Sequence, residues 1–272
     1  MAGVSPNVME LFSLKGRVFL VVGGARDLGR DMAGALAEAG GDGMITSRTA
    51  ESAQKTAAEL STATGRRIVG VALDANHEDS IKAAVAQTVK TFGKIDIVVN
   101  NLGGGASRQG AAVELENRER GDWDRLMEAN VTGPFLVMKH VAPVLKRQKS
   151  GSVINIASIA GIIGRDREVY QGGIKPQTLD YAAAKAAVLG FTRDLAAYLG
   201  RDGVRVNAIS PGGFERGQPQ EFIKAYSRKA ILGRMGRDGV DLKGAVVYLA
   251  SDAAGYVTGH NLVVDGGFTV WQ

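Results

Sequence analysis

Tyr181 and Lys185 stand four positions apart in Tyr-Ala-Ala-Ala-Lys. The stretch from Thr178 to Leu199 has helical periodicity, so both side chains emerge on one face. A tyrosine hydroxyl holds its proton too tightly for ready exchange at neutral pH, and a nearby ammonium lowers that affinity. The pair suits acid and base work on a substrate oxygen. Ser158 follows the apolar run Ser152 to Ala157, which reads as a strand, and a hydroxyl at that strand's carboxyl end can polarise a carbonyl. Tyr and Lys at this spacing are commonplace on helices, so the pair gains meaning only from its surroundings.

The elements that must position these groups alternate along the chain. Runs read as strands are Arg17 to Val22, Gly43 to Ser47, Arg67 to Leu73, Ile95 to Asn100, Ser152 to Ala157, Val204 to Ile209 and Asn261 to Val264. Helical stretches between them include Gly29 to Ala39, Ala50 to Thr62, Ser80 to Phe92 and Trp123 to Lys149. Strand following helix following strand predicts right-handed crossovers and a doubly wound α/β fold: a seven-stranded, mostly parallel sheet with helices on both faces. With 272 residues, 45% hydrophobic, the chain can bury one substantial core. We expect one domain over residues 15–272, preceded by a loosely held arm, residues 1–14.

Immediately after the first strand comes Gly23-Gly24-Ala25-Arg26-Asp27-Leu28-Gly29, opening into a helix. A glycine-rich turn at that junction brings backbone amides and a helix N-terminus towards a pyrophosphate, so Gly23, Arg26, Asp27, Leu28 and Gly29 are candidate dinucleotide contacts. The second strand ends Thr46-Ser47-Arg48, where a carboxylate would bond a ribose 2′-hydroxyl. Ser47 and Arg48 instead suit a 2′-phosphate, which Arg26 could reach from the other side, so NADP(H) is the expected cofactor. Asp74 closes the third strand and is placed to bond an adenine or simply to form a turn. The fourth strand runs into Asn100-Asn101-Leu102-Gly103-Gly104-Gly105, a loop that should line the same crevice.

These motifs taken in order resemble the short-chain dehydrogenases/reductases over nearly the whole chain. The likeness runs from the glycine turn through Asn101 and Gly103, Asn130 in NVTGPF, Ser158 and YAAAKAAVLGFTR, to RVNAISPGG and YVTGHNLVVDGG. The resemblance implies a Rossmann-like fold and hydride transfer between a nicotinamide cofactor and a small carbonyl or alcohol substrate. It implies Tyr181 as acid/base, Ser158 as its partner on the substrate oxygen, and Lys185 holding the ribose and lowering the tyrosine pKa. It further implies Asn130 supporting a proton-relay water, Pro211 and Gly212 beside the nicotinamide, and a homotetramer or homodimer.

Three departures bear on that reading. Asp27 stands where the family has glycine, adding negative charge beside the pyrophosphate unless it turns away to serve as a helix N-cap. Leu102 replaces an alanine, for which we expect only a local packing adjustment. Tyr181 follows Ser158 by 23 positions, whereas the family spacing is about a dozen, implying an insertion near residues 169–179 at the rim of the substrate pocket. Tyr170 has the ordinary spacing but Ile174 four residues on, with Gly172, Gly173 and Pro176 to break a helix, so Tyr181 is the better candidate.

Arg108, Arg165, Arg167 and Lys175 fall on loops expected to frame the pocket and fit an anionic or polyhydroxylated substrate, or merely a solvated surface. The C-terminal segment looks like members acting on sugar acids and polyols, and the core equally like 3-oxoacyl thioester reductases. A dinucleotide-binding sensor or scaffold without turnover is the alternative that Asp27 raises. The net charge of +5 does not gather on one face, and the run Lys146 to Lys149 closes a helix, so neither nucleic acid nor membrane is expected. Absence of cysteine removes thiolate chemistry and is compatible with a reducing cytoplasm. His77, His140 and His260 have no spacing suited to a shared metal.

Overall fold

The computed structural model describes residues 7 to 105 and 114 to 271. A short α1 (Val8–Leu11), capped by Asn7, leads into β1 (Val18–Val22), α2 (Asp27–Glu38), β2 (Asp42–Ser47), α3 (Ala50–Thr64), β3 (Ile68–Ala72), α4 (Glu78–Phe92) and β4 (Ile97–Asn100). The chain continues through α5 (Arg120–Met127), α6 (Gly133–Gln148), β5 (Gly151–Ile156), α7 (Leu179–Leu199), β6 (Val204–Pro211), β7 (Phe214–Glu215), α8 (Gln220–Lys229), β8 (Gly236–Arg237), α9 (Lys243–Ala250) and β9 (Asn261–Val264).

Seven strands form one sheet in the order β3-β2-β1-β4-β5-β6-β9, with every pairing parallel. Side chains alternate across it. Phe19, Val21 and Ile45 meet Leu36, Val246 and Leu249 on one face, while Leu20, Val22 and Met44 meet Val137, Val141 and Leu199 on the other. All are fully buried, each contributing about 1.5–3 kcal/mol of apolar burial. Strand order reverses beside β1, between β2 and β4, and at such a switch point the carboxyl ends open a crevice.

Three expectations are corrected. The stretch Trp123 to Lys149 is not one helix: a π turn, Glu128–Thr132, separates α5 from α6. Asn130 Nδ2 donates to the Leu126 carbonyl at 3.0 Å, and Pro134 has no amide with which to continue the regular ladder. The expected loose arm is anchored at its end, for Leu14 is fully buried and its amide donates to the Ala39 carbonyl at 2.8 Å, while residues 7–10 are exposed. Third, α8 and the parallel pair β7 and β8 add a lobe after β6 that the strand pattern did not reveal, while α9 packs on the sheet. Among the described residues no helix is long and apolar enough to cross a membrane.

Candidate active site

The ends of β4 and β5 are tied to α7 by buried amides. Asn100 Nδ2 donates to Asn155 Oδ1 at 2.9 Å, Asn155 Nδ2 to Thr192 Oγ1 at 3.0 Å, and Thr192 Oγ1 to the Val188 carbonyl at 2.8 Å. The first turn of α7 is held separately: buried Asp180 pairs with Arg118, and its Oδ1 accepts from the Tyr181 amide at 3.2 Å. Sequence reasoning missed Asn155, Thr192, Asp180 and Arg118. For Asn155 the available signal was an amide inside an apolar strand.

Tyr181 and Lys185 then fall one turn apart, with the Lys185 Nζ 5.7 Å from the centre of the tyrosine ring. Nζ donates to the Ile156 carbonyl at 3.0 Å. Ser158 lies near the Tyr181 hydroxyl, and its Oγ accepts the Ala160 amide at 3.1 Å, opening a 3-10 turn over Ile159–Gly161. That turn lies so close to α7 that a Cβ on Gly161 would meet the Lys185 carbonyl carbon at 2.6 Å. Burial pushes Lys185 down to about 8. Burial also raises Tyr181, opposed by the Ser158 hydrogen bond and the Arg165 charge.

Asn130 is fully buried in the π turn. Its Oδ1 accepts the Gly104 amide and its Nδ2 donates to the Gly104 carbonyl, both at 3.2 Å, so the side chain braces the loop after β4. Gly103, at φ 91°, lies against it, where a Cβ would come within 2.1 Å of Asn130 Oδ1. Leu102 packs into the core beneath α6.

At the glycine turn, Gly23 N donates to Thr46 Oγ1 at 3.1 Å, and Asn101 Nδ2 donates to the Gly23 carbonyl at 2.9 Å. A Cβ on Gly29 would stand 2.0 Å from the Gly23 oxygen, so the turn admits no side chain there. The helical ladder begins with Arg30 N donating to Arg26, leaving the Leu28 and Gly29 amides ahead of it at the helix end. Asp27 is the first residue of α2 and not its N-cap; that position belongs to Arg26, which makes no side-chain cap bond. Asp27 adopts φ 50°, the left-handed conformation that glycine takes freely and Asp tolerates at some cost. Its carboxylate lies 4.0 Å from Arg26 Nε and 3.8 Å from Arg216 Nη1.

Ser47 is half-buried at the end of β2, with Arg48 and Arg26 exposed near the same edge. Asp74 Oδ1 accepts the Asn76 amide at 3.0 Å, the turn-forming arrangement. Pro211 ends β6, and the Gly212 amide donates to Val264 O at 3.0 Å; a Cβ on Gly212 would meet the Tyr226 hydroxyl at 2.9 Å.

The segment between Ser158 and Tyr181 folds over this crevice. Val169, Tyr170 and Ile174 pack with Phe222 and Tyr226 of α8, and Gln177 lies against Gly105. Tyr170 follows the 3-10 turn Arg167–Val169, with the Arg165 charge near its hydroxyl. Arg165 Nη2 donates to the Thr178 carbonyl at 2.8 Å, whereas its Nη1 is buried without a protein partner. Arg167 and Lys175 face solvent, and Arg108 lies outside the described residues.

The chain is similar to known proteins over nearly its whole length. A family model described as enoyl-(acyl carrier protein) reductase matches residues 23–269. The chain is 37% identical to 2-dehydro-3-deoxy-D-gluconate 5-dehydrogenase of Dickeya dadantii (strain 3937), covering 96% of this chain and 98% of that one. It is 34% identical to secoisolariciresinol dehydrogenase of Forsythia intermedia, over 94% and 90% of the two chains. A crystal structure of a gluconate 5-dehydrogenase from Burkholderia cenocepacia J2315, in complex with NADP and tartrate, superposes with a TM-score of 0.87 at 31% identity, covering 98% and 100%. The chain belongs to the short-chain dehydrogenase/reductase family of nicotinamide-dependent oxidoreductases.

Proposed function

We propose that the protein interconverts a carbonyl and a secondary alcohol with NADP(H), using Tyr181 as acid and base on the substrate oxygen. The observation that carries this reading is the placement of Tyr181 one turn from Lys185, with Ser158 near the tyrosine hydroxyl, at the crevice edge of a parallel sheet. A nicotinamide dinucleotide, when bound, supplies or takes up the hydride. In reduction Tyr181 gives its proton to the carbonyl oxygen, and the Ser158 hydroxyl donates a second hydrogen bond to it. In oxidation the tyrosine oxygen receives the alcohol proton. Lys185 offers its ammonium to the ribose, and Asn130 braces the loop and supports a relay water.

The residues fit such a cofactor. Gly23, Leu28 and Gly29 would hold the pyrophosphate, Asp74 the adenine, and Asn101, Gly103, Pro211 and Gly212 the nicotinamide end. No carboxylate ends β2, and Ser47, Arg48 and Arg26 favour a 2′-phosphate. The NADP complex of the Burkholderia relative supports the same choice.

For the substrate we favour a sugar acid or related polyhydroxylated acid over a 3-oxoacyl thioester. The buried Arg165 Nη1 beside the tyrosines suits a carboxylate, and the gluconate-directed relatives support it. Large apolar side chains left exposed on α5, α6 and α7, among them Trp123, Phe135 and Leu179, support assembly as a homotetramer or homodimer.

The test compares NADPH and NADH oxidation with keto-sugar acids, simple ketones and 3-oxoacyl thioesters. We expect the highest kcat/KM with NADPH and a keto-sugar acid. Equal or better turnover with NADH removes the cofactor assignment, and turnover of thioesters alone removes the substrate class. Tight NADPH binding with no turnover of any substrate would instead favour a dinucleotide-binding protein without catalysis, the reading that Asp27 invites.

A further inference from the structure

Arg216, just beyond β7, gathers three carboxylates from two parts of the fold. Its Nε donates to Asp238 Oδ1 at 2.6 Å, its Nη2 lies 3.3 Å from Asp31 Oδ2, and its Nη1 lies 3.8 Å from Asp27 Oδ1. The side chain is only 18% exposed. The parallel pairing of Glu215 with Arg237 sets Arg216 beside Asp238, while the Gly239 amide donates to Asp31 Oδ2 at 3.1 Å, fastening this lobe to α2. Burial, with the neighbouring Asp238 charge, raises Asp31 above its ordinary value, while the bond to Arg216 lowers Asp238.

The N-terminus of α2 is the natural seat of an anion, and a carboxylate in its first turn competes for the same amides and field. Asp27 occupies that turn in a conformation that costs backbone energy, so its presence calls for compensation. Arg216 reaches it from just beyond β7, 189 positions later in the chain.

We propose that Arg216 makes an Asp-bearing turn competent for a dinucleotide, by drawing the Asp27 carboxylate and its charge away from the pyrophosphate. Arg216 is a positioning residue that acts through Asp27. The proposal rests on the reading of this turn as a dinucleotide site. Its consequence is that Arg216 becomes dispensable for cofactor binding once Asp27 is neutral.

The experiment is an NADPH fluorescence titration of wild type, Arg216→Ala, Arg216→Lys, Asp27→Asn and the double variant Asp27→Asn/Arg216→Ala, each checked by thermal melt. Asn tolerates the left-handed conformation as Asp does, so Asp27→Asn changes charge and leaves the backbone alone. Arg216→Ala is expected to raise the Kd by about tenfold or more, with Arg216→Lys between it and wild type. The double variant should bind within about threefold of Asp27→Asn. A change below about twofold in Arg216→Ala, or an equal loss in the Asp27→Asn background, overturns the proposal. Should Arg216→Ala fail to fold, Arg216→Lys with and without Asp27→Asn gives the same comparison. A wild type that binds neither NADPH nor NADH contradicts the functional reading itself, whereas binding by wild type with no coupling between the sites contradicts this proposal alone.

Discussion

The tyrosine end of the crevice and the glycine turn solve their electrostatics in opposite ways. Around Tyr181 most polar groups are buried and paired, Lys185 with Ile156 O, Asp180 with Arg118, and Asn155 with Asn100 and Thr192, while Arg165 Nη1 has no protein partner. At the turn the charges form a partly exposed cluster, in which Asp27, Asp31 and Asp238 approach Arg216 and Arg26 also lies beside Asp27. Matched, buried pairs hold reacting groups in one geometry, and their loss is costly because a stranded charge cannot reach water. A partly exposed cluster is adjustable and screened. In the reading proposed above, chemistry belongs to the first region and cofactor tolerance to the second.

The sharpest way to break the contrast is to remove the tyrosine oxygen. Tyr181→Phe should lower kcat by about 10²–10⁴-fold, the range of a lost general acid, with the fold intact by circular dichroism. Tyr170→Phe should keep most of the activity, since that ring packs on Phe222 and sits beyond the Lys185 turn. The reverse ranking would exchange the two tyrosines and overturn the alignment.

Next in size is the pairing at the start of α7. Removing one partner, by Arg118→Ala or Asp180→Asn, strands a buried polar group and should cost about 3–5 kcal/mol in denaturant unfolding. The equivalent change at the exposed pair Arg30 and Glu59 should cost about 0–1 kcal/mol. Similar losses at both would erase the distinction between the regions.

The smallest effect is a pH dependence. Lys185 releases its proton at about 8 when folded and at its ordinary 10.5 when unfolded. Between those values the unfolded chain binds more protons, so this group makes stability rise with pH from about 8 towards 10.5. Urea unfolding across that window should show the rise in wild type and lose it in Lys185→Met. An identical pH profile for both would mean that burial does not shift this ammonium.

What could be read from the sequence was what is local. β1 to β6 announce themselves as apolar runs, and Tyr181 and Lys185 share a face of one helix. The breaks came from contacts across the chain. Asn130 turning on Leu126 and Gly104 splits what periodicity reads as one helix, and α8 is too polar to stand out before Phe222 and Tyr226 meet the segment over the crevice. Asp27 was visible as an anomaly, but neither its left-handed backbone nor its approach to Arg216 follows from neighbouring residues. A compensating charge so distant in sequence is legible only once the end of β7 and α2 are folded together.

The central claim is tested most directly by following the hydride. NADPH carrying deuterium at its transferable position is mixed with the protein and the preferred keto acid, and the product is examined by mass spectrometry and NMR. The account predicts deuterium on the new alcohol carbon with wild type and almost none with Tyr181→Phe. Bound NADPH with no deuterium in the product, or undiminished transfer by Tyr181→Phe, would contradict it.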